Sequence, residues 1–229
     1  MDKMDGIKAH FNEEAEQFDG IIRKLIPYYA QMVRALTDSI SFDKNAQLEV
    51  IDLGCGTGTI SKAIKDLYPH ARLTCVDMAP NMLKMAERKL SDAPDSRFIE
   101  CDFNQFDFDK KYDLIVSSLA FHHLVSDKEK LDFYRKIYGA VKDKGIFINA
   151  DVVLASCDWL YDRYMERWKE YMMKEVPQKE VEEIWAPTHY REDSPISMMK
   201  HLEMLKDVGF NTLDIVWKYY NFAVYIAMK

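Results

Sequence analysis

The stretch Leu48–Ser61 reads L-E-V-I-D-L-G-C-G-T-G-T-I-S and decides the fold predicted for this chain. Its first half is an apolar run of the kind found in buried parallel strands. Glycines then alternate at Gly54, Gly56 and Gly58, and a helix is predicted over Ile60–Tyr68. Glycine at every second position lets the backbone turn sharply and lets a ligand touch the main chain. A strand, a glycine loop and a helix in this order predict a nucleotide-type site at the carboxyl end of a parallel sheet.

Two classes of adenosine cofactor compete for this loop, and charge separates them. Dinucleotide loops follow G-x-G-x-x-G and place a pyrophosphate at the amino terminus of the helix. Here the third glycine comes one residue earlier, and the carboxylate of Asp52 just ahead of the loop would repel a pyrophosphate. The same carboxylate would attract a cofactor that carries an ammonium and a sulfonium group. The sequence therefore predicts S-adenosylmethionine as the cofactor.

The run V-I-D-L-G-C-G-T-G resembles motif I of the class I S-adenosylmethionine-dependent methyltransferases. The resemblance implies an α/β fold, namely a Rossmann-like, doubly wound, seven-stranded sheet with an antiparallel last strand. It also implies an N-terminal helical cap and a helical insertion after strand five. In this family the motif binds the cofactor, which assigns that role to Asp52, Gly54, Gly56 and Gly58.

The ends of the next two predicted strands carry acids. Asp77 lies close to the ~20-residue interval after the glycine loop at which a carboxylate binds ribose hydroxyls; the alternative is an acid that merely begins the following helix. Met78 is placed to lie against the adenine, unless it packs in the core. The segment R-F-I-E-C-D-F is predicted as a third strand ending at Asp102 and Phe103. The resemblance implies that these two residues hold the adenine amino group and a ring nitrogen.

The fourth predicted strand ends in S-S-L-A-F-H-H, where parallel sheets bind ligands. Ser117 and Ser118 are therefore expected at the cofactor. His122 and His123 are the candidate catalytic bases, since histidine exchanges protons near neutral pH; the alternative for each is a capping or packed histidine. The N-P-P-Y-type signature of enzymes that methylate nucleic acids or proteins on nitrogen is absent, which favours a small-molecule acceptor.

Both ends of the chain support a closer resemblance. The runs P-Y-Y-A-Q-M and W-K-Y-Y-N-F-A-V-Y-I-A-M-K resemble the carboxy-S-adenosylmethionine synthases, in which Tyr29 would contact the cofactor. Those enzymes hold an extra carboxylate with an arginine ahead of the penultimate helix. The comparable region here, V-P-Q-K-E-V-E-E-I-W, is acidic, and Arg191 is out of register with it. Plain methyl transfer is therefore the favoured reaction.

The remaining helices and strands are predicted from the periodicity of apolar residues and from the residues that end helices. A helix is predicted over Leu131–Val141, a strand over Gly145–Val152 and a helix over Ile196–Val208. Two strands, Thr212–Tyr220 and Phe222–Met228, are joined so tightly that they must pair antiparallel.

One domain is predicted over 1–229, with a cofactor-binding core at 47–152 and a C-terminal helix and strands at 196–229. The helical segment 1–46 is either a pair packed on the sheet or a cap over the cofactor. The insertion 153–195 is rich in aromatic residues, and either they form a core of their own or it is a lid with polar anchors at His189–Arg191.

Composition narrows the class of protein. The chain has 229 residues, of which 48% are hydrophobic, and a formal net charge of −7. This negative charge argues against a protein that binds nucleic-acid phosphates broadly. No apolar run approaches the ~18 residues of a membrane span, and the four cysteines lack C-x-x-C spacing. We expect a cytoplasmic protein with reduced cysteines and no metal, and the tyrosine-rich terminal strands suggest a homodimer.

Three hypotheses result. The first is a methyltransferase that acts on a small molecule. The second is an enzyme like the carboxy-S-adenosylmethionine synthases. The third is a cofactor-binding or regulatory protein without catalysis.

Overall fold

A single mixed sheet organises the computed structural model, which describes residues 3–102 and 105–229. Within those residues its strands are β1 (Glu49–Leu53), β2 (Arg72–Asp77), β3 (Arg97–Glu100), β4 (Tyr112–Ser118), β5 (Val141–Val152), β6 (Thr212–Tyr219) and β7 (Phe222–Met228). Their order is β3-β2-β1-β4-β5-β7-β6. Strands β1 to β5 pair in parallel, and β7 runs antiparallel to both of its neighbours. The predicted seven-stranded sheet with an antiparallel last strand is confirmed.

Helices cover both faces of the sheet. They are α1 (Lys3–Glu14), α2 (Phe18–Leu25), α3 (Tyr29–Asp38), α4 (Thr59–Leu67), α5 (Pro80–Lys89), α6 (Asp127–Ala140), α7 (Asp158–Met172), α8 (Gln178–Glu180), α9 (Ala186–Glu192) and α10 (Met198–Asp207). A 3-10 turn spans Phe121–His123, and a π-helical turn spans Val181–Trp185. In the part of the chain that the structure describes, no helix has both the length and the apolar character that crossing a membrane requires.

The core has two halves because neighbouring side chains of a strand point to opposite faces. Val50 and Leu114 belong to the half covered by α2 to α5 and α7, and both are fully buried. Ile51 and Ile115, the next residues of the same strands, belong to the half covered by α6 and α10. Burial on both faces accounts for the apolar run that predicted β1.

The amino-terminal helices divide into two parts. Helix α3 packs on the sheet beside β5 and β7. Helix α1 instead crosses the carboxyl edge of the sheet. At one end Asn81 at the start of α5 donates its backbone N–H to Asn12, over 3.0 Å. At the other end Lys3 Nζ donates to Ser194 Oγ, also over 3.0 Å. Helix α3 thus packs on the sheet as one alternative predicts, and a cap over the cofactor stays a prediction for α1.

The insertion after β5 shares the main core. Trp168 and Met172 are buried in the same cluster as the strands, and the Trp168 indole N–H donates to the Leu25 carbonyl over 2.7 Å. Trp159 and Tyr190 are exposed. The buried side chains of the insertion thus join the main core, and Tyr161 and Trp185 pack against it while partly exposed.

Some predicted boundaries were wrong. The fifth strand begins at Val141 and not at Gly145. The third strand ends at Glu100, two residues before Asp102, because pairing with β2 stops at Asp77. The sixth helix begins at Asp127 and not at Leu131. Its start is fixed by a capping box, in which Ser126 Oγ accepts the Glu129 N–H and the Glu129 carboxylate accepts the Ser126 N–H.

We expect Ser126→Ala to lower the free energy of unfolding by about 1 kcal/mol, since it removes the cap of the helix that follows the 3-10 turn. Urea denaturation measures the change. Ser156→Ala, at an exposed bend outside any helix, is the matched control and should stay within about 0.5 kcal/mol of the parent. An equal loss in both variants would contradict the capping assignment.

Candidate functional site

The carboxyl ends of β1, β2 and β4 open into a cavity of about 810 Å³, here called the first cavity. Its walls come from the glycine loop, the residues after β2 and β4, and the helices α1 to α3. This is the sheet edge at which the sequence predicts a cofactor, because ligands of open α/β sheets bind beyond the carboxyl ends of the strands.

The glycine loop is held against β2 through its backbone. Gly54 and Cys55 donate their N–H groups to the Val76 carbonyl over 2.8 and 3.0 Å. Gly56 has a positive φ of +52°, and a side chain there would point into open space. At Gly58 (φ +79°) a Cβ would come within 3.0 Å of Ala86 on α5. Gly56 therefore exposes main chain to the cavity, whereas Gly58 allows two elements to pack closely.

Asp52 has an unsatisfied carboxylate oxygen in the wall of this cavity. The residue is 2% exposed; Oδ2 accepts the Ser61 hydroxyl over 2.6 Å, but Oδ1 has no partner. Burial, partly offset by the Ser61 hydrogen bond, raises the pKa of Asp52 to about 7. A buried carboxylate without a partner is costly. The cavity therefore suits a ligand that presents a cation at Asp52 and fits poorly to one that presents a phosphate.

Asp77 ties the glycine loop to the following helix. Its Oδ2 accepts the Gly56 N–H and its Oδ1 accepts the Ala79 N–H, each over 2.8 Å. Burial raises the pKa of this carboxyl above its usual value. Each oxygen retains a lone pair, and the residue lines the first cavity. The side chain can therefore organise the loop and still accept hydrogen bonds from hydroxyl groups.

The other residues predicted for the cofactor fall into two groups. Some line the first cavity with Asp52 and Asp77, namely Tyr29, Gly54, Gly56, Met78 and Ser118. Gly58, Asp102 and Ser117 are not part of its lining. The Ser117 hydroxyl donates to the Leu53 carbonyl over 2.7 Å and so links β4 to β1. Phe103 lies outside the described residues. Burial raises the pKa of Tyr29 to about 12, so its hydroxyl keeps its proton.

A second cavity, of about 730 Å³, lies beside the first. The two share Phe11, Phe18, Leu119 and His123. Helices α1, α2, α7 and α9 supply the second cavity's remaining walls, which are mostly apolar apart from histidines and carboxylates. A ligand in each cavity would therefore meet at this shared wall.

The two predicted histidines stand at this junction in different environments. His122 Nδ1 lies 2.5 Å from Asp151 Oδ1, and since a carboxylate only accepts, Nδ1 carries the proton. Burial lowers the pKa of His122, but the charges of Asp193 and Asp151 outweigh it and raise that pKa above its usual value. For His123, burial and the neighbouring His122 lower the pKa to about 4, and its Nε2 has no partner.

Asp193 joins these histidines to the insertion. Its Oδ1 is 3.5 Å from His122 Nε2 and 3.6 Å from His123 Nδ1, while Oδ2 is 2.6 Å from His189 Nδ1. Burial raises the pKa of Asp193, but the charge of His122 and the hydrogen bond from His189 bring it down to about 2. The carboxylate is therefore ionised among three imidazoles.

Helix α1 contributes a further histidine, His10, to the wall of the second cavity. Its ring nitrogens lie 2.8 Å from Glu192 and 3.2 Å from Glu14. Hydrogen bonds to these two carboxylates raise the pKa of His10 to about 10, so the ring is charged near neutral pH. Among the described residues, neither cavity is lined by a lysine or an arginine.

Reasoning from the sequence missed Asp151, Asp193 and His10. Asp151 carried a usable signal, because it follows the buried run of β5 at the sheet edge where ligands bind. The other two residues come from the insertion and the cap, and only the tertiary fold brings them to His122. Of the anchors suggested at His189–Arg191, His189 lines the second cavity, whereas Arg191 pairs with Glu192 and its side chain is 65% exposed.

Comparison with known proteins identifies the cofactor and the class of domain. Residues 50–145 match a family model described as a methyltransferase domain. A carboxy-S-adenosyl-L-methionine synthase of Campylobacter hominis is 28% identical, over 94% of this chain and 92% of its own length.

Solved structures with the same fold include complexes of the predicted cofactor. One described as a DhpI–SAM–HEP complex aligns with a TM-score of 0.68 and 17% identity, over 99% of this chain and 97% of the other. Human N-acetylserotonin methyltransferase in complex with SAM aligns with a TM-score of 0.62 and 17% identity, over 97% of this chain and 56% of the other. The predicted fold and cofactor are confirmed. Residues 50–145 thus match a methyltransferase domain, the chain resembles the class I S-adenosylmethionine-dependent methyltransferases, and its cofactor is S-adenosylmethionine.

Proposed function

We propose that the protein transfers a methyl group from S-adenosylmethionine to a small molecule held in the second cavity. One observation carries this proposal: two cavities share a wall, and the first has an unpartnered buried carboxylate oxygen suited to a cation. A donor in the first cavity and an acceptor in the second would meet at His123. The acceptor cavity is largely apolar with a few polar groups, as is usual for small-molecule sites.

In this proposal the cofactor-binding residues have separate roles. Asp52 pairs with the cofactor's ammonium group, and Asp77 accepts from the ribose hydroxyls. The backbone of Gly54 and Gly56 lies against the cofactor, and Met78 lies against its adenine.

The remaining residues of the predicted site act around these five. Tyr29 and Ser118 complete the wall of the first cavity, while Gly58 and Ser117 hold the loop and the strands in place. Asp102 and Phe103 remain the residues predicted to contact the adenine.

When bound, the cofactor supplies a methyl group on a sulfonium, which is already a good leaving group. The protein therefore has to align donor and acceptor and exclude water. Phe11, Phe18 and Leu119 align the two ligands and exclude water at the shared wall, because these side chains are apolar and line both cavities. His122 and His123 are the proposed catalytic residues, facing the acceptor's reacting group from the second cavity.

The likeness to carboxy-S-adenosylmethionine synthases favours a second candidate function. The lining of the two cavities argues against it, because no lysine or arginine among the described residues faces either of them. A carboxylate on the cofactor's methyl would instead meet Glu14, Glu192 and Asp193. Mass spectrometry of the cofactor that co-purifies with the protein separates the candidates, because the carboxylated form is heavier.

Activity is tested on a panel of thiols, amines, phenols and carboxylates, with release of S-adenosylhomocysteine as the signal. Release with at least one member of the panel supports methyl transfer. Tight cofactor binding with no release across the panel would instead support a binding or regulatory protein.

We expect Asp52→Asn to weaken S-adenosylmethionine binding by roughly 30-fold or more, since it removes the charge that pairs with the ammonium group. Calorimetry measures the affinity. Asp66→Asn, an exposed acid on the neighbouring α4, is the matched control and should bind as the parent does. Equal affinity in all three proteins would contradict the assigned role of Asp52.

The same carboxyl predicts a pH dependence of binding. In the free protein the pKa of Asp52 is about 7, and a cationic ligand requires the ionised form. The affinity should therefore fall as the pH drops below 7, approaching about tenfold per unit, and be flat with pH in Asp52→Asn. A parent profile as flat as the variant's would disprove this account.

His123→Ala should lower turnover of the acceptor that the panel identifies by roughly 10²-fold, because the ring places the reacting group at the junction. Cofactor affinity should change little, since His123 forms only one edge of the first cavity. His70→Ala, an exposed histidine beyond α4, serves as the control. Unchanged turnover in His123→Ala would remove this residue from the catalytic site.

A further inference from the structure

We propose that His122, His123 and Asp193 bind a divalent transition-metal ion of the zinc type at the junction of the two cavities. One ligand atom from each of the three residues lies within 4.8 Å of the others. Two imidazole nitrogens and one carboxylate oxygen form a donor set that suits zinc and its neighbours and is unsuited to magnesium or calcium.

The spacing of the donors fits a single ion. Metal bonds of about 2.0–2.2 Å in a tetrahedral site separate the ligand atoms by roughly 3.3–3.6 Å. Asp193 Oδ1 lies 3.5 Å from His122 Nε2 and 3.6 Å from His123 Nδ1. These two distances exceed those of strong hydrogen bonds and match the edges of a metal site. His123 Nδ1 also lies 3.4 Å from the Glu192 carbonyl, so binding of the ion would move the ring proton of His123 to Nε2.

The outer contacts are those that support metal ligands. Asp151 accepts from His122 Nδ1 over 2.5 Å, which fixes the tautomer that turns the lone pair of Nε2 toward Asp193. His189 holds the other oxygen of Asp193 over 2.6 Å. A ligating histidine commonly donates its second nitrogen to a carboxylate, and ligating carboxylates are themselves hydrogen-bonded.

Charge also favours a cation here. Asp151 is buried and the Asp193 side chain is 13% exposed, and within residues 3–102 and 105–229 their ion-pair partners are histidines only. The buried Lys130 is turned away, because its Nζ donates to the Leu124 carbonyl. A divalent ion would neutralise both carboxylates without requiring any of the imidazoles to be protonated.

The proposed site keeps one coordination position for a ligand. His122, His123 and Asp193 all line the second cavity, and His123 lines the first as well. Three protein ligands and an open fourth position are typical of catalytic zinc.

The consequence for the reaction rests on the proposed function. A hydroxyl or thiol of the acceptor would bind the ion through its oxygen or sulfur and release its proton to solvent at a lower pH than when free. The new bond to carbon would then form as the bond from carbon to sulfur breaks. The ion thus selects acceptors with an oxygen or sulfur nucleophile.

Zinc binding to the full chain, stripped with a chelator, tests the site without any acceptor. Calorimetry should find one ion per chain, and His122→Ala and Asp193→Asn should abolish that binding. Asp151→Asn should weaken it by about 10–100-fold. His70→Ala and Cys157→Ser, at an exposed histidine and an exposed cysteine, should bind as the parent does. No zinc binding, or loss only in the control variants, would overturn the proposal.

Cobalt substitution gives a second measurement that needs no variant to fold. The parent protein with Co²⁺ should show the intense visible absorption of a four-coordinate ion, without the thiolate charge-transfer bands of cysteine ligation. Weak octahedral absorption or thiolate bands would contradict the site. Metal bound as expected, with no methyl transfer to any panel member, would refute the proposed function and leave the metal site standing.

Discussion

The burial of Asp52 with one carboxylate oxygen unsatisfied is the constraint on which the cofactor site depends. The strand that carries Asp52 is covered on both faces, so the side chain cannot turn toward water, and Ser61 satisfies only one of its oxygens. Such an arrangement is costly without a ligand and favourable with a cationic one. Asp77 adds a second constraint, because it holds the glycine loop in the shape that leaves Gly56 open to the cavity. The choice between a sulfonium and a phosphate cofactor is therefore built into the first two strands.

The second half of the site comes from parts of the chain that are far apart in sequence. The Ser194 N–H donates to the His122 carbonyl over 2.7 Å, which fixes the end of the insertion to the turn after β4. The Asp151 carboxylate, at the end of β5, accepts a hydrogen bond from His122 Nδ1. These contacts place two histidines and two carboxylates beside the cofactor cavity, where the proposed acceptor and the proposed metal ion would meet.

What could be predicted from the sequence was local. The glycine loop, Asp52 and Asp77 lie within one βαβ unit, whose strands and turns have strong signals, and the seven-stranded sheet with its antiparallel last strand followed from the resemblance. The capping box at Ser126 and Glu129 was also readable, yet the predicted helix began at Leu131 because only its apolar positions were counted. Asp193 could not be found in this way, since its position depends on how the insertion packs against the sheet. The expectation that the chain has no metal rested on the spacing of its cysteines, whereas the proposed metal site uses histidines that meet only through the fold.

Helix α1 contributes a wall to both cavities, with Phe11 in each. In the proposed function both ligands would therefore pack against this one helix. A first ligand that restricts the motion of the helix would leave less conformational entropy for the second to lose. Linkage requires the effect to be mutual. Donor and acceptor should thus promote each other's binding, and the protein should release its methylated product more readily once the spent donor has left.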